Sequence, residues 1–261
     1  MSLATLQIDG PIATITINRP DARNALSVEL LAALHQRVDD LQARCTPDPA
    51  QTDSSPHVCV LTGAGRSFCA GMDIKAVMGD EPASRRILLS LAEFTLKLRR
   101  LPCVLVAGVN GAAIGGGCGL VTVCDIAITY GENKMGFPEV DLGVCPAVVA
   151  PWLVRKIGAG RARKVLLSGG LMTGRDAEAF GIVTQCVPTE ADVMPATLAI
   201  AQRLAGGSSN ALRATRNLLN DLDGSLDWDV LERAANLSAD VLNTPECQAM
   251  LRSKMEAPKR A

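Results

Sequence analysis

Only two of the 261 residues are histidine, His35 and His57. His35 sits with Gln36 and Asp39 on the polar side of a helical pattern, and His57 follows Pro56 at the mouth of a strand. Both read as structural or solvated. A Ser–His–Asp triad or a His-based metal site would need one of them, so hydrolase and metalloenzyme readings recede together and no metal is expected. Aromatics are 3% of the chain against 48% hydrophobic residues, so the core must be built from Ala, Val, Leu and Ile. An excess of either charge is also missing: 26 basic and 27 acidic side chains leave −1, which gives no electrostatic case for nucleic acid. No apolar run approaches the roughly eighteen residues of a membrane span. The first ten residues lack the basic region and apolar core of a secretion signal, so a cytoplasmic protein without membrane attachment is expected. Nine cysteines are scattered without a Cys-x-x-Cys pair, mostly in apolar runs such as Pro102-Cys103-Val104-Leu105-Val106. They read as reduced, buried small hydrophobes.

What is present is an alternation of strands and helices. Residues 3–8 and 12–17 read as two strands joined at Asp9-Gly10-Pro11. Ser27 caps a helical pattern carrying Val28, Leu31, Leu34, Val38 and Leu41. Residues 45–56, rich in proline, form a polar loop, and 58–61 is a buried strand. Leu88, Leu91, Phe94, Leu98 and Leu101 mark a helix ended by Pro102, followed by strands over 103–107 and 125–129. This order argues for an α/β architecture with largely parallel sheet. Past about residue 190 the strand signal vanishes. Helices are expected over 190–206, 208–222, 225–242 and 244–254, separated by Gly206-Gly207, Asp223-Gly224 and Asn243-Thr244-Pro245. The expected division is a core over 1–190 and a helical oligomerisation or lid region over 191–261.

Two glycine-rich stretches stand out, over 63–75 and 110–120, each following a strand and running into a short helical pattern. Glycine lets backbone approach a ligand closely, and a helix start leaves N–H groups without intrahelical partners. Brought face to face, two such segments can hold one oxyanion between two main-chain donors, the requirement for chemistry through an enolate. Other glycine motifs fail. The pattern Gly-x-Gly-x-x-Gly breaks at Phe68 and at Leu120, Gly111-x-x-x-x-Gly116 is followed by Gly117 and Cys118 rather than Lys and Ser/Thr, and Gly-x-Ser-x-Gly does not occur.

Four segments together resemble the enoyl-CoA hydratase/isomerase (crotonase) family over nearly the whole chain: Asn18-Arg19-Pro20-Asp21-Ala22-Arg23-Asn24-Ala25-Leu26; residues 63–75; residues 110–120 with Cys124-Asp125-Ile126-Ala127; and Phe137-Pro138-Glu139-Val140-Asp141-Leu142-Gly143. The resemblance implies a spiral of ββα turns, a helical tail that builds a homotrimer or dimer of trimers, acyl-CoA thioester substrates and no cofactor beyond the coenzyme A of the substrate. It places the two oxyanion-hole amides on Met72 and Gly116. It assigns coenzyme A contacts around Arg23, Ala25, Ala70, Asp73, Ile74 and Lys75; Arg66 is within plausible reach of a phosphate, and Lys254 is a weaker candidate to close the adenine pocket.

Glu139 lies among apolar neighbours, where burial raises a carboxyl pKa toward neutrality, and the resemblance puts a catalytic acid/base at this position. Two-glutamate hydratases of this family carry a second glutamate where this chain has Gly119. Asp141 would share the direction of Glu139 on an extended backbone and is the candidate replacement, with a solvent-facing turn residue as its other reading. Cys118 and Cys145 flank the site without a histidine to activate them. The segments around Gly119 and Glu139 look most like the bacterial methylglutaconyl-CoA-type hydratases. Hydration of a 2-enoyl-CoA is the first expectation; Δ3–Δ2 isomerisation and decarboxylation follow, and a non-catalytic acyl-CoA-binding scaffold is the alternative of another class.

Overall fold

A computed structural model describes residues 2–45 and 55–256. Its chain opens with the expected pair of alternating segments, β1 (Ala4–Asp9) and β2 (Ile12–Ile17), as an antiparallel hairpin. The hydroxyl of Ser27 then accepts from the Leu30 N–H at 3.2 Å and starts α1 (Val28–Arg44). Leu31, Leu34, Val38 and Leu41 are buried as their spacing requires; Val28, read into the same stripe, is exposed at the helix start, and Leu30 is buried instead. Most of the loop expected over 45–56 lies outside the described residues.

From here one unit repeats. It runs β3 (Val58–Gly63), β4 (Ser67–Cys69), then α2 (Ile74–Val77) and α3 (Glu81–Arg100). It runs again as β5 (Val104–Gly108), β6 (Ala112–Ile114) and α4 (Gly116–Val123), and a third time as β7 (Ile126–Tyr130), β8 (Lys134–Gly136), α5 (Ala150–Ile157) and α6 (Ala159–Ser168). The last strand of the small sheet, β9 (Leu171–Thr173), leads through α7 (Gly174–Phe180) to β10 (Gln185–Val187). The first strand of each unit joins a six-stranded sheet, ordered β1-β2-β3-β5-β7-β10, and the second joins a four-stranded sheet, ordered β4-β6-β8-β9. This is the ββα spiral. Pairing is parallel except at β1–β2 and β8–β9, because every other connection between neighbours must travel through a helix or the other sheet.

Beyond residue 190 the chain is helical, as its turn signals predict: α8 (Glu190–Ala205), α9 (Ser209–Asp223), α10 (Trp228–Leu242) and α11 (Pro245–Glu256). The boundary drawn at 190/191 runs through this packing. Val58 and Val60 point to the face covered by α8, where Val193 and Ala201 bury against them, while Cys59 and Leu61 point into the main core. α10 lies along α3 and buries Leu231, Ala235 and Ala239. No described helix is long and apolar enough to cross a membrane.

Candidate active site

Three neighbouring strands of the small sheet, β4, β6 and β8, run parallel and end side by side. β4 hands over to Ala70-Gly71-Met72, β6 to Gly115-Gly116, and β8 to Phe137-Pro138-Glu139. The spiral therefore delivers both glycine stretches and the nominated glutamate to one edge. Contact between the two stretches is tight. A β-carbon on Gly71, whose φ is +91°, would fall 2.8 Å from the Ile114 carbonyl oxygen and 3.8 Å from the Gly116 nitrogen. On Gly117 it would fall 2.1 Å from the Cys69 carbonyl oxygen. Any side chain at either place would force the turns apart.

Among the described residues, the backbone leaves the two amides nominated for the oxyanion hole without internal partners. Leu26 N–H donates to Gly71 O at 2.7 Å and Asp73 N–H donates to Leu26 O at 2.8 Å. This parallel bridge uses the groups on either side of Met72 and turns the Met72 N–H the other way. Gly116 is the first residue of α4, where an N–H has no intrahelical acceptor and the helix dipole is positive. Among the described residues neither amide donates to a protein acceptor.

Both residues line a cleft of about 610 Å³ including its mouth, together with Gly115 and Glu139. A β-carbon on Gly115 would lie 2.9 Å from Glu139 Oε1, so the carboxyl group rests against the backbone beside Gly116. Glu139 Oε2 is buried without a hydrogen-bond partner among the described residues. Burial pushes this carboxyl up to about 7, with a smaller opposing pull from its own backbone N–H. The site thus joins two free donors to one acid that exchanges its proton near neutral pH.

Asp141 does not join them. Glu139 and the one-turn 3-10 segment Val140–Leu142 are not extended, so the two carboxyls do not share a direction; Asp141 is exposed and its Oδ2 accepts from Gly170 N–H at 2.7 Å. Nor is there room for a carboxylate at residue 119. A β-carbon there would meet Val149 Cγ1 at 2.5 Å. Cys118 is fully buried and its thiol is pushed up by burial; Cys145 reaches the cleft, and burial raises its thiol too, with Glu139 adding repulsion. Both stay protonated, and the histidines are engaged elsewhere: His35 near the Ser90 carbonyl and His57 between the carbonyls of Ser55 and Ala205.

Of the residues nominated for coenzyme A, Ala70 and Ile74 line the cleft. Arg23, Arg66, Lys75 and Lys254 are exposed and do not line it, and Ala25 is half-buried beyond it. The Asp73 carboxylate is held by Arg19 at 2.9 Å, and the same Nη1 donates to the Ala25 carbonyl at 3.0 Å. Arg19 escaped the sequence reading although it stands in a quoted segment. So did two organisers of the turns, the buried Asn24 and the half-buried Asn110. Asn24, at φ +57°, donates to the carbonyls of Ala64 and Ser67 and accepts from Arg19 N–H, while Asn110 donates to the carbonyls of Gly63 and Gly65 and accepts from Gly63 N–H. Asn110 had a signal, since it opens the second glycine stretch; Asn24, far from the first stretch in sequence, had none of that kind. Leu88, Leu91 and Ser238, which wall the cleft from α3 and α10, carried no local signal for that role.

The enoyl-CoA hydratase/isomerase family profile matches residues 7–257. A 2,3-dehydroadipyl-CoA hydratase from Escherichia coli is 35% identical over 209 residues, covering 80% of this chain and 78% of that protein. A Thermus thermophilus protein, provisionally named an enoyl-CoA hydratase, is 33% identical over 252 residues, 95% of each chain. A crystal structure of an enoyl-CoA hydratase from Mycobacterium avium superposes with a TM-score of 0.84 at 27% identity, over 98% of this chain and 97% of that one. With the ββα spiral and the matching segments in their expected order, the chain belongs to the enoyl-CoA hydratase/isomerase family and is an enzyme of that kind.

Proposed function

We propose that the enzyme adds water across the double bond of a 2-enoyl-CoA, with the Met72 and Gly116 amides as oxyanion hole and Glu139 as the acid/base. The observation that carries this is the meeting of the two glycine turns with an under-bonded, buried carboxyl directly beside them. Glu139 in its carboxylate form takes a proton from water as the oxygen attacks the β-carbon. The electron pair of the double bond moves to the α-carbon and onto the thioester oxygen, where the two N–H groups stabilise the charge. Glu139 then returns the proton to the α-carbon, and one water has been added. A pKa near 7 suits one group to both transfers. No metal or redox group is needed for this sequence. The exposed Arg23, Arg66 and Lys75 would meet the phosphates of coenzyme A outside the cleft, with Ala25, Ala70, Asp73 and Ile74 bordering its inner end. Nine free cysteines suit a reducing compartment, the cytoplasm. Leu218, Leu219 and Leu222, 57%, 56% and 75% exposed on α9, are suited to a subunit contact in a trimer or dimer of trimers, which sedimentation would measure.

The test is loss of enoyl absorbance with crotonyl-CoA and 2-hexenoyl-CoA; absence of turnover with both overturns the hydration reading. One observation favours a second reaction. With the space at residue 119 filled by Val149, a lone carboxyl can instead move a proton between the α and γ carbons, so 3-hexenoyl-CoA belongs in the same assay. Gly119→Glu is expected to lower activity and stability, since overpacking costs about 1–3 kcal/mol. Gly119→Glu with Val149→Ala relieves that clash and should shift the ratio of hydration to isomerisation upward. An unchanged ratio in a folded double variant would show that a second carboxyl is not what limits hydration.

The amides are tested separately. Gly116→Pro removes the donor at a helix position that tolerates proline and should cut kcat roughly 10²–10³-fold. Gly116→Ala keeps the N–H and adds a methyl 3.2 Å from Leu26 Cδ1 and 3.3 Å from Leu91 Cδ2, so it should lose far less. Equal losses in the two variants would remove Gly116 from the oxyanion hole.

A further inference from the structure

Away from the amides, the cleft walls are of one chemical kind. Leu88 and Leu91 come from α3, and Leu142, Val144 and Val148 from the segment after Glu139. Ser238 of α10 supplies a hydroxyl, but its hydrogen is spent: it donates to Cys145 O at 2.9 Å while accepting from Val148 N–H at 3.0 Å. The Cys145 thiol is a weak donor. No lysine, arginine or histidine occurs among the described residues lining the cleft. On α3, Arg85 is held by Glu81, Asp240 and Asn236, and Arg86 is exposed. The oxygen acid that does line the cleft, Glu139, carries charge of the wrong sign to receive an anion.

These walls decide between substrates. A carboxylate on the far end of an acyl group would leave water for a space with no cation and no free strong donor, and would share it with Glu139. An alkyl end of the same length pays no such penalty and gains by burial. We infer that the acyl pocket selects uncharged aliphatic 2-enoyl groups and rejects acyl groups that bear a second carboxylate. This rests on the acyl-CoA reading of the site and narrows it, and it departs from the methylglutaconyl-type resemblance, whose acyl group bears a second carboxylate.

The discriminating pair is 2-hexenoyl-CoA and 2,3-dehydroadipyl-CoA, which share six acyl carbons and differ in a terminal methyl against a terminal carboxylate. The expected kcat/KM ratio is at least 100-fold in favour of hexenoyl; a ratio within tenfold, or one favouring the diacid, overturns the inference. Failure of hydration itself is read separately. If neither thioester is hydrated, calorimetry with the saturated hexanoyl-CoA and adipyl-CoA still tests the pocket. Hexanoyl binding at least 100-fold tighter supports the inference without hydration, equal affinities overturn it, and no binding of either overturns the acyl-CoA reading with it.

Discussion

Glu139→Gln is expected to abolish most turnover, by about 10²–10⁴-fold in kcat, while leaving the protein folded. The substitution keeps the size of the side chain and removes its ability to exchange a proton, so KM for the thioester should change little. Full turnover on the best substrate would show that the carboxyl has another role. The wild type should show kcat/KM for hydration falling about tenfold per pH unit below pH 7, because the free enzyme must hold Glu139 as carboxylate to accept the proton of water. In the Gln variant that limb should disappear.

The same residue predicts an effect on stability of the opposite sign. Burial raises the native carboxyl from its ordinary 4.5 to about 7, so between these values the folded protein binds more protons than the unfolded chain. Stability from this group is therefore complete below pH 4.5 and is lost as pH rises through 7. Glutamine carries no such penalty. The unfolding free energy of the variant relative to wild type should move by about 2–3 kcal/mol in the variant's favour between pH 5 and pH 8. Denaturant melts at the two pH values measure it, and parallel curves would show that the carboxyl is not held in a dry site. A lower activity with higher stability at pH 8 is the signature of a group kept for chemistry.

Arg216→Ala is expected to cost about 3–5 kcal/mol, a fall of roughly 6–15 °C in Tm, because it strands buried charge and carbonyl groups. The guanidinium, 5% exposed, reaches from α9 to Asp125 Oδ2 at 2.8 Å and to the carbonyls of Leu98, Arg99 and Leu101 at 3.2, 2.8 and 2.5 Å. Those are carbonyls at the end of α3, where intrahelical donors run out; Leu98 O keeps one bond, from the Leu101 N–H at 3.3 Å. Asp125 also accepts from Arg99 at 2.6 Å and from the Leu105 N–H at 2.8 Å, which ties the end of α3 to β5. Arg216→Lys keeps the charge but not the fork of donors, and should recover only part of the loss. A Tm within 2 °C of wild type in the Ala variant would mean that water replaces the guanidinium at little cost. Since α3 supplies Leu88 and Leu91 to the cleft, a rise in KM should accompany the loss.

The sequence carried the local order of this protein because its local signals agree. Ser27 before an apolar stripe, Pro102 after Leu101, and paired turn residues between the last helices each act within a few residues, so those elements lie where their residues ask. The expected stretch over 125–129 begins one residue later, at Ile126, because Asp125 is drawn into the ion pairs described above. The pairing of segments forty residues apart was legible only through the resemblance. No short-range pattern says that β4, β6 and β8 end together, since strands of three residues have no periodicity to read.

By itself the sequence determined the chemistry available: two glycine turns, a glutamate in apolar company, almost no histidine, and glycine at residue 119. Tertiary structure decided what each of these faces. It turned Asp141 to Gly170, filled the space beside Gly119 with Val149, bound Asp73 to Arg19, and closed the cleft with side chains from α3 and α10. The reason is one of range. Helix caps and turns are set by atoms a few bonds away, whereas the dryness that raises Glu139 and the charge of an acyl pocket are sums over groups that meet only when the spiral has closed.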